Sequence, residues 1–144
     1  MDVMIQRLDE ALPAPSYAHP GDAGLDLRAA EDGELKPFER ALVPCGFAMA
    51  IPDGFAGLVI PRSGLAAKHG ISIVNAPGLV DSGYRGEIKV ALVNLDPHES
   101  FSFKKGERIA QMMIVATPSI TLHNISALPN SDRGAQGFGS SGVS

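Results

Sequence analysis

Apolar and polar positions along this chain alternate in short runs. Each run is closed by glycine, proline or a charged turn. Period-two alternation places every second side chain on one face, which is the signature of half-buried strands. The pattern predicts a first strand over Val3 to Leu8, then an extended or looped segment through Pro13, Pro15 and Pro20. In Ala23 to Ala30, Leu25 and Leu27 alternate with Asp26 and Arg28, so a strand would bury the leucines and present the charges. A short helix is the alternative there. Ala41 to Ile51 reads as two strand pieces broken at Pro44 and Gly46, followed by a Pro52-Asp53-Gly54 turn and a strand from Phe55 to Ile60.

The period changes once. Pro61 to Gly70 predicts the single helix, capped by Ser63, built on Leu65, Ala66 and Ala67, and ended by Gly70. Strand character resumes over Ile71 to Val74. Asn75 to Gly86 is turn-rich, punctuated by Pro77, Gly78 and Gly83, and Ile88 to Asn94 reads as a buried strand. Further strands are predicted over Ser100 to Lys104, Glu107 to Val115 and Ile120 to Ile125, with turns at Asp96 to Glu99 and at Lys105-Gly106. Many short strands with one small helix imply an all-β fold, a jelly-roll-like sandwich or barrel. Residues 1–129 form one predicted domain. Residues 130–144 form a Gly/Ser-rich arm with no buried-face pattern, which its composition marks as flexible.

Composition narrows the function classes. At 144 residues the chain suits one domain with a real core. The 16 glycines and 11 prolines fit many turns, and 44% hydrophobic content argues for a folded globule. A net charge of −4 supplies no basic field for nucleic acid, so an anionic ligand needs locally placed cations. Cys45 is the only cysteine, which excludes an intrachain disulfide and a cysteine-rich zinc site. The four histidines have no metal-ligand spacing. The N-terminus has no signal-peptide pattern and no apolar run has membrane-spanning length, so a soluble, cytoplasmic protein is the expectation.

Five segments stand apart from this background. An acidic residue and an aromatic, Asp81 and Tyr84, are placed at a tight loop, where a rigid hairpin could hold them for chemistry; the plain alternative is a surface turn. Arg62-Ser63-Gly64 joins a guanidinium, a hydroxyl and free backbone N–H groups at a helix start, an anion site or simply a helix cap. Asp26 sits on a strand face, Gln111 closes Gly106-Glu-Arg-Ile-Ala-Gln, and the tail reads Arg133-Gly-Ala-Gln-Gly-Phe138-Gly-Ser-Ser-Gly142. The tail is not a P-loop, because it lacks the Gly-Lys-Ser/Thr ending.

These five segments, in this order, resemble the motifs of the trimeric dUTPase family (deoxyuridine triphosphate nucleotidohydrolases), from Ala23 to Gly142. Each motif is weak alone, and the joint match is specific. The resemblance implies a homotrimer with shared sites, a jelly-roll-like fold, and hydrolysis of dUTP to dUMP and pyrophosphate with Mg²⁺ carried on the substrate phosphates. It implies further that Asp81 activates the attacking water. Tyr84 underlies the sugar, while Asn75 and the Gly78 hairpin backbone read uracil. Arg62, Ser63, Gly64 and Gln111 hold the phosphates. Arg133 meets the γ-phosphate, and Phe138, with Gly139 and Ser140, closes over the base. Asp26 supports the metal through water. Gln136 departs from the family pattern, at a position where glycine is common.

Two other readings use the same scaffold. A dCTP deaminase would carry a catalytic glutamate where this chain has Ala91, which has no proton to transfer. A non-catalytic nucleotide-binding regulator would have no reason to keep Asp81, Arg62, Ser63, Gln111 and Arg133 together.

Overall fold

A computed structural model describes residues 1–132, 134 and 135. Ten strands and one helix follow the chain: β1 (Met4–Arg7), β2 (Leu25–Arg28), β3 (Gly33–Leu35), β4 (Arg40–Ala50), β5 (Phe55–Ile60), α1 (Ser63–His69), β6 (Ile71–Ile73), β7 (Gly78–Val80), β8 (Glu87–Asn94), β9 (Phe101–Phe103) and β10 (Arg108–Ala116). Every strand pair is antiparallel. One four-stranded sheet runs β1-β4-β8-β6, a second runs β2-β10-β5-β7, and β3 and β9 form a short ribbon. The fold is all-β and jelly-roll-like, as the alternation predicts.

The core comes from the alternating positions. In β8, Ile88, Val90, Leu92 and Asn94 point inward, while Lys89, Ala91 and Val93 lie on the other face. Ile88, Val90 and Leu92 pack with Leu27, Val43, Ile71, Ile109 and Met112 in one apolar cluster. Removing this surface from water is the main stabilising term. Asn94 is the one fully buried polar side chain among the described residues. Its Nδ2 donates to the carbonyls of Leu35 (3.0 Å) and Glu99 (2.8 Å), and its Oδ1 accepts from the Asp96 N–H at 2.9 Å. Its backbone exchanges bonds with the turn that opens β4, where Phe38 takes a positive φ of 62°. Satisfied burial of this kind fixes β8 relative to the β3–β9 ribbon.

Four expectations need correction. Ala41 to Ala50 lies in one long strand, not two pieces, with Ile51 just past its end: the ladder with β8 slips between Pro44 and Ala48, and Gly46 at φ 74° absorbs the irregularity. A bulge bends a strand without ending it. Ser63 is the first helical residue. The cap position belongs to Arg62, with extended backbone and no side-chain cap, while Gly70 ends the helix in the left-handed conformation as predicted. Ile120 to Ile125 forms no strand, and Ile120 and Leu122 are exposed. An apolar alternation can therefore exist without a sheet edge to receive it within one chain. Finally, Gly78–Val80 is a strand inside the segment expected to be turn-rich, and Gly33–Leu35 adds a short strand for which no expectation was set.

Candidate active site

The second sheet orders the candidate residues. Asp26 on β2 stands opposite Gln111 on β10, and Gln111 stands opposite Ile60 at the end of β5. Chain continuity then places Arg62 and Ser63 just beyond. The Arg62 Nε lies 3.7 Å from Asp26 Oδ1, and Arg108 Nη1 donates to Asp26 Oδ2 at 3.2 Å. Arg62 also donates from Nη1 to the Arg108 carbonyl at 2.8 Å. Gln111 donates from Nε2 to the Pro61 carbonyl at 3.1 Å. Asp26, Arg62 and Gln111, dispersed in sequence, thus form one cluster, with Ser63 and Gly64 exposed in the first helical turn beside it.

Two residues outside the sequence reading belong to this cluster. Arg108 supplies a second guanidinium to Asp26. Gly24 packs against Gln111, and a Cβ there would stand 2.9 Å from Gln111 Oε1 and push the amide aside. A Cβ at Gly64 would meet nothing within 4 Å, so the chain itself does not explain that glycine. A hollow of about 380 Å³ opens here, lined by Arg28, Arg62, Leu65 and Arg108 with Gly106 and Glu107. Three guanidinium groups around one hollow suit a multiply charged anion.

The hairpin builds a second cluster. β7 pairs with β5, setting Gly78 opposite Val59 and Val80 opposite Gly57. Asp81 follows β7 directly, and its carbonyl accepts from the Tyr84 N–H at 3.1 Å, closing the turn. Arg85 Nη1 donates to the carbonyls of Ser82 and Tyr84 and holds the turn from outside. The Tyr84 hydroxyl donates to the Glu87 carbonyl at 3.0 Å. Asp81 and Tyr84 face a cleft of about 260 Å³ with Leu42, Leu79, Val80 and Lys89. A recess of about 100 Å³ shares that wall and adds Asn75, Gly78 and Ala91. At Gly78 a Cβ would press on Val59 Cβ at 3.3 Å and on the Asn75 amide at 3.4 Å. The narrow recess has fixed backbone polar groups and an amide at its rim, which suits a flat heterocycle. Lys89 was missed from the sequence, although its place between buried Ile88 and Val90 puts it on the cleft side of β8.

The two clusters lie apart within one chain. Val80 is opposite Gly57, five residues before Arg62, an extended path of roughly 17 Å at about 3.3 Å per residue through the end of β5 and Pro61. Arg133, Phe138, Gly139 and Ser140 lie outside the described residues. Among the described residues, no group of three or more His, Cys, Asp or Glu side chains could hold a metal ion. No helix there is long and apolar enough to cross a membrane.

Comparison with known proteins converges on one family. The dUTPase family model matches residues 10–142. The chain is 54% identical over 142 residues to the deoxyuridine 5'-triphosphate nucleotidohydrolase of Streptomyces griseus, covering 99% of this chain and 81% of the relative. It is 56% identical over 140 residues to that of Thermobifida fusca, covering 97% and 78%. It is also 54% identical to that of Mycolicibacterium vanbaalenii, covering 96% and 93%. Among solved structures, the dUTPase of Staphylococcus bacteriophage 80alpha with dUpNHpp superposes with a TM-score of 0.90 at 31% identity, covering 99% of both chains. The order of the motifs, the antiparallel sandwich that carries them and these matches agree: the chain belongs to the dUTPase family.

Proposed function

We propose that this protein hydrolyses dUTP to dUMP and pyrophosphate, which keeps uracil out of DNA and supplies dUMP for thymidylate synthesis. The observation that carries the reading is the hairpin: Asp81 and Tyr84 share one rigid turn at the mouth of a cleft whose inner recess is rimmed by Asn75 and Gly78. Uracil enters the recess and is read by the Asn75 amide and the Gly78 backbone. Cytosine presents the reverse donor–acceptor pattern at its N3 edge and would leave buried groups unpaired. The Tyr84 ring lies under the deoxyribose and excludes a 2′-hydroxyl. Asp81 accepts a proton from water as the water oxygen attacks the α-phosphorus. The bond from that phosphorus to the bridging oxygen of the β-phosphate breaks, and pyrophosphate leaves. Such displacement depends on alignment and neutralised charge rather than on covalent help from protein.

Arg62, Ser63, Gly64 and Gln111 grip the phosphates, and Arg133 and Phe138 in the arm of residues 130–144 close over γ-phosphate and base. The lone carboxylate, Asp26, fits Mg²⁺ only through water: its oxygens already pair with Arg62 and Arg108, so the ion would keep its waters and phosphate oxygens and take no all-protein cage. When bound, Mg²⁺ would neutralise phosphate charge, with Asp26 holding it through water.

A homotrimer with sites shared between chains is part of the proposal. The path of roughly 17 Å from the β5 partner of Val80 to Arg62 supports a site in which hairpin and guanidinium cluster come from different chains. Exposed Leu42, Val74 and Leu79 beside the hairpin, and exposed Ile120, Leu122, Ile125 and Leu128 after β10, are apolar surface that neighbouring copies would bury. Ala91 lines the recess without a titratable group, which disfavours deamination. Incubation with Mg²⁺ and dUTP, dCTP, dTTP or UTP in separate tubes tests the reading. Pyrophosphate and dUMP from dUTP alone are expected; deaminated product from dCTP, or turnover in none, would overturn it.

A further inference from the structure

We propose that Glu87 is a positioning residue for Tyr84, and through it for the choice of deoxyribose over ribose. The inference rests on the reading of Tyr84 as the residue under the sugar. Glu87 is the first residue of β8 and stands opposite Ala48 on β4. The next ladder position along β8 is Lys89 opposite Pro44, and the register slips between. The backbone pairing is therefore interrupted beside the hairpin. Glu87 bridges the interruption with its side chain: its Oε1 accepts from the Gly46 N–H at 2.9 Å. Gly46, at φ 74°, is anchored on its other side, where its carbonyl accepts from the N–H groups of Leu8 (2.8 Å) and Asp9 (3.0 Å).

The same residue carries the hairpin tyrosine. The Tyr84 hydroxyl donates to the Glu87 backbone carbonyl at 3.0 Å. Tyr84 also lies so close over Gly86 that a Cβ there would stand 2.4 Å from the hydroxyl oxygen. The ring thus has a seat made of Gly86 and the Glu87 carbonyl. That carbonyl is held in place by the Glu87 carboxylate on a fixed bulge. Tyr84 is 46% exposed, so little else in the chain confines it. An aromatic that discriminates a single hydroxyl must not shift by much, because misplacement of a fraction of an ångström degrades a positioned contact.

The test measures kcat/KM for dUTP and UTP with Glu87→Ala, Glu87→Asp, Glu87→Gln and Tyr84→Ile, alongside thermal melts. Asp keeps the charge but is one methylene shorter; Gln keeps an acceptor oxygen at the right reach. Glu87→Ala and Glu87→Asp are expected to lower the dUTP-over-UTP preference by about tenfold, mainly by raising KM for dUTP, and Glu87→Gln to restore it. Should Ala prevent folding, Asp carries the comparison. A preference within about twofold of the parent in Asp or Ala, while Tyr84→Ile loses it, would overturn the role of Glu87 and leave that of Tyr84 intact. Loss of preference in Gln as well would overturn the hydrogen-bond argument. An unchanged preference in Tyr84→Ile would instead remove Tyr84 from the sugar, and the inference with it.

Discussion

Asp26 stands between Arg62 and Arg108, with guanidinium nitrogens 3.7 Å and 3.2 Å from its two carboxylate oxygens. Only 16% of the Asp26 side chain is exposed, so the pairing orients both arginines along the hollow they line. Asp26→Asn removes that orientation and the proposed water-mediated support for Mg²⁺. The Mg²⁺ concentration giving half-maximal dUTP turnover is expected to rise about ten- to a hundredfold, measured by metal titration of initial rates.

Asp81 follows β7 directly and sits in the turn that Tyr84 closes. Its proposed role is to accept the proton of the attacking water, which contributes about 10²–10⁴-fold in rate. Asp81→Asn keeps the shape of the turn and removes the base. It is expected to lower kcat by about that factor while dUTP still binds, as seen by calorimetry with a non-hydrolysable analogue. Unchanged turnover would take Asp81 out of the mechanism.

The extended path from the β5 partner of Val80 to Arg62 predicts assembly. Sedimentation equilibrium is expected to give three times the chain mass of 15.1 kDa. Mixing Asp81→Asn chains with Arg62→Ala chains should recover part of the activity that each lacks, because a shared site can then hold one intact copy of each residue. A fully active monomer would contradict the shared site.

Asn94 is completely buried and makes three side-chain hydrogen bonds. Asn94→Ala leaves the carbonyls of Leu35 and Glu99 and the N–H of Asp96 without those partners, at a cost of about 3 kcal/mol in folding stability. Urea unfolding monitored by circular dichroism checks this, with a lower midpoint and an unchanged slope expected.

Cys45 is buried beside the Glu87 carboxylate. Burial first, and that negative charge second, push its thiol up to about 12 from an ordinary 9.0. The native thiol stays neutral where an unfolded one ionises. The stability it contributes is therefore complete below pH 9 and is lost as pH rises towards 12. Ellman's reagent at pH 8 is expected to label Cys45 no faster than the protein unfolds, and Cys45→Ala should flatten the alkaline loss of stability.

Much of this was legible in the alternation itself. Ile88, Val90 and Leu92 fall on one face of β8 because side chains of a strand alternate, and no later contact is needed to say so. Gly70 ends α1 in the left-handed conformation for an equally local reason. The candidate residues could also be named from the chain, since their order and spacing are properties of sequence alone. Tertiary structure decided the rest. That Asp26, Arg62 and Gln111 meet depends on β2, β10 and β5 becoming neighbours, a pairing of segments distant along the chain. That Pro44 and Gly46 bulge a strand instead of ending it depends on β8 and on the Glu87 side chain that receives the freed N–H. Ile120 to Ile125, expected as a last strand, found no sheet edge in its own chain. Local pattern states which face of a segment seeks burial; only the packed sheets determine what is available to cover it.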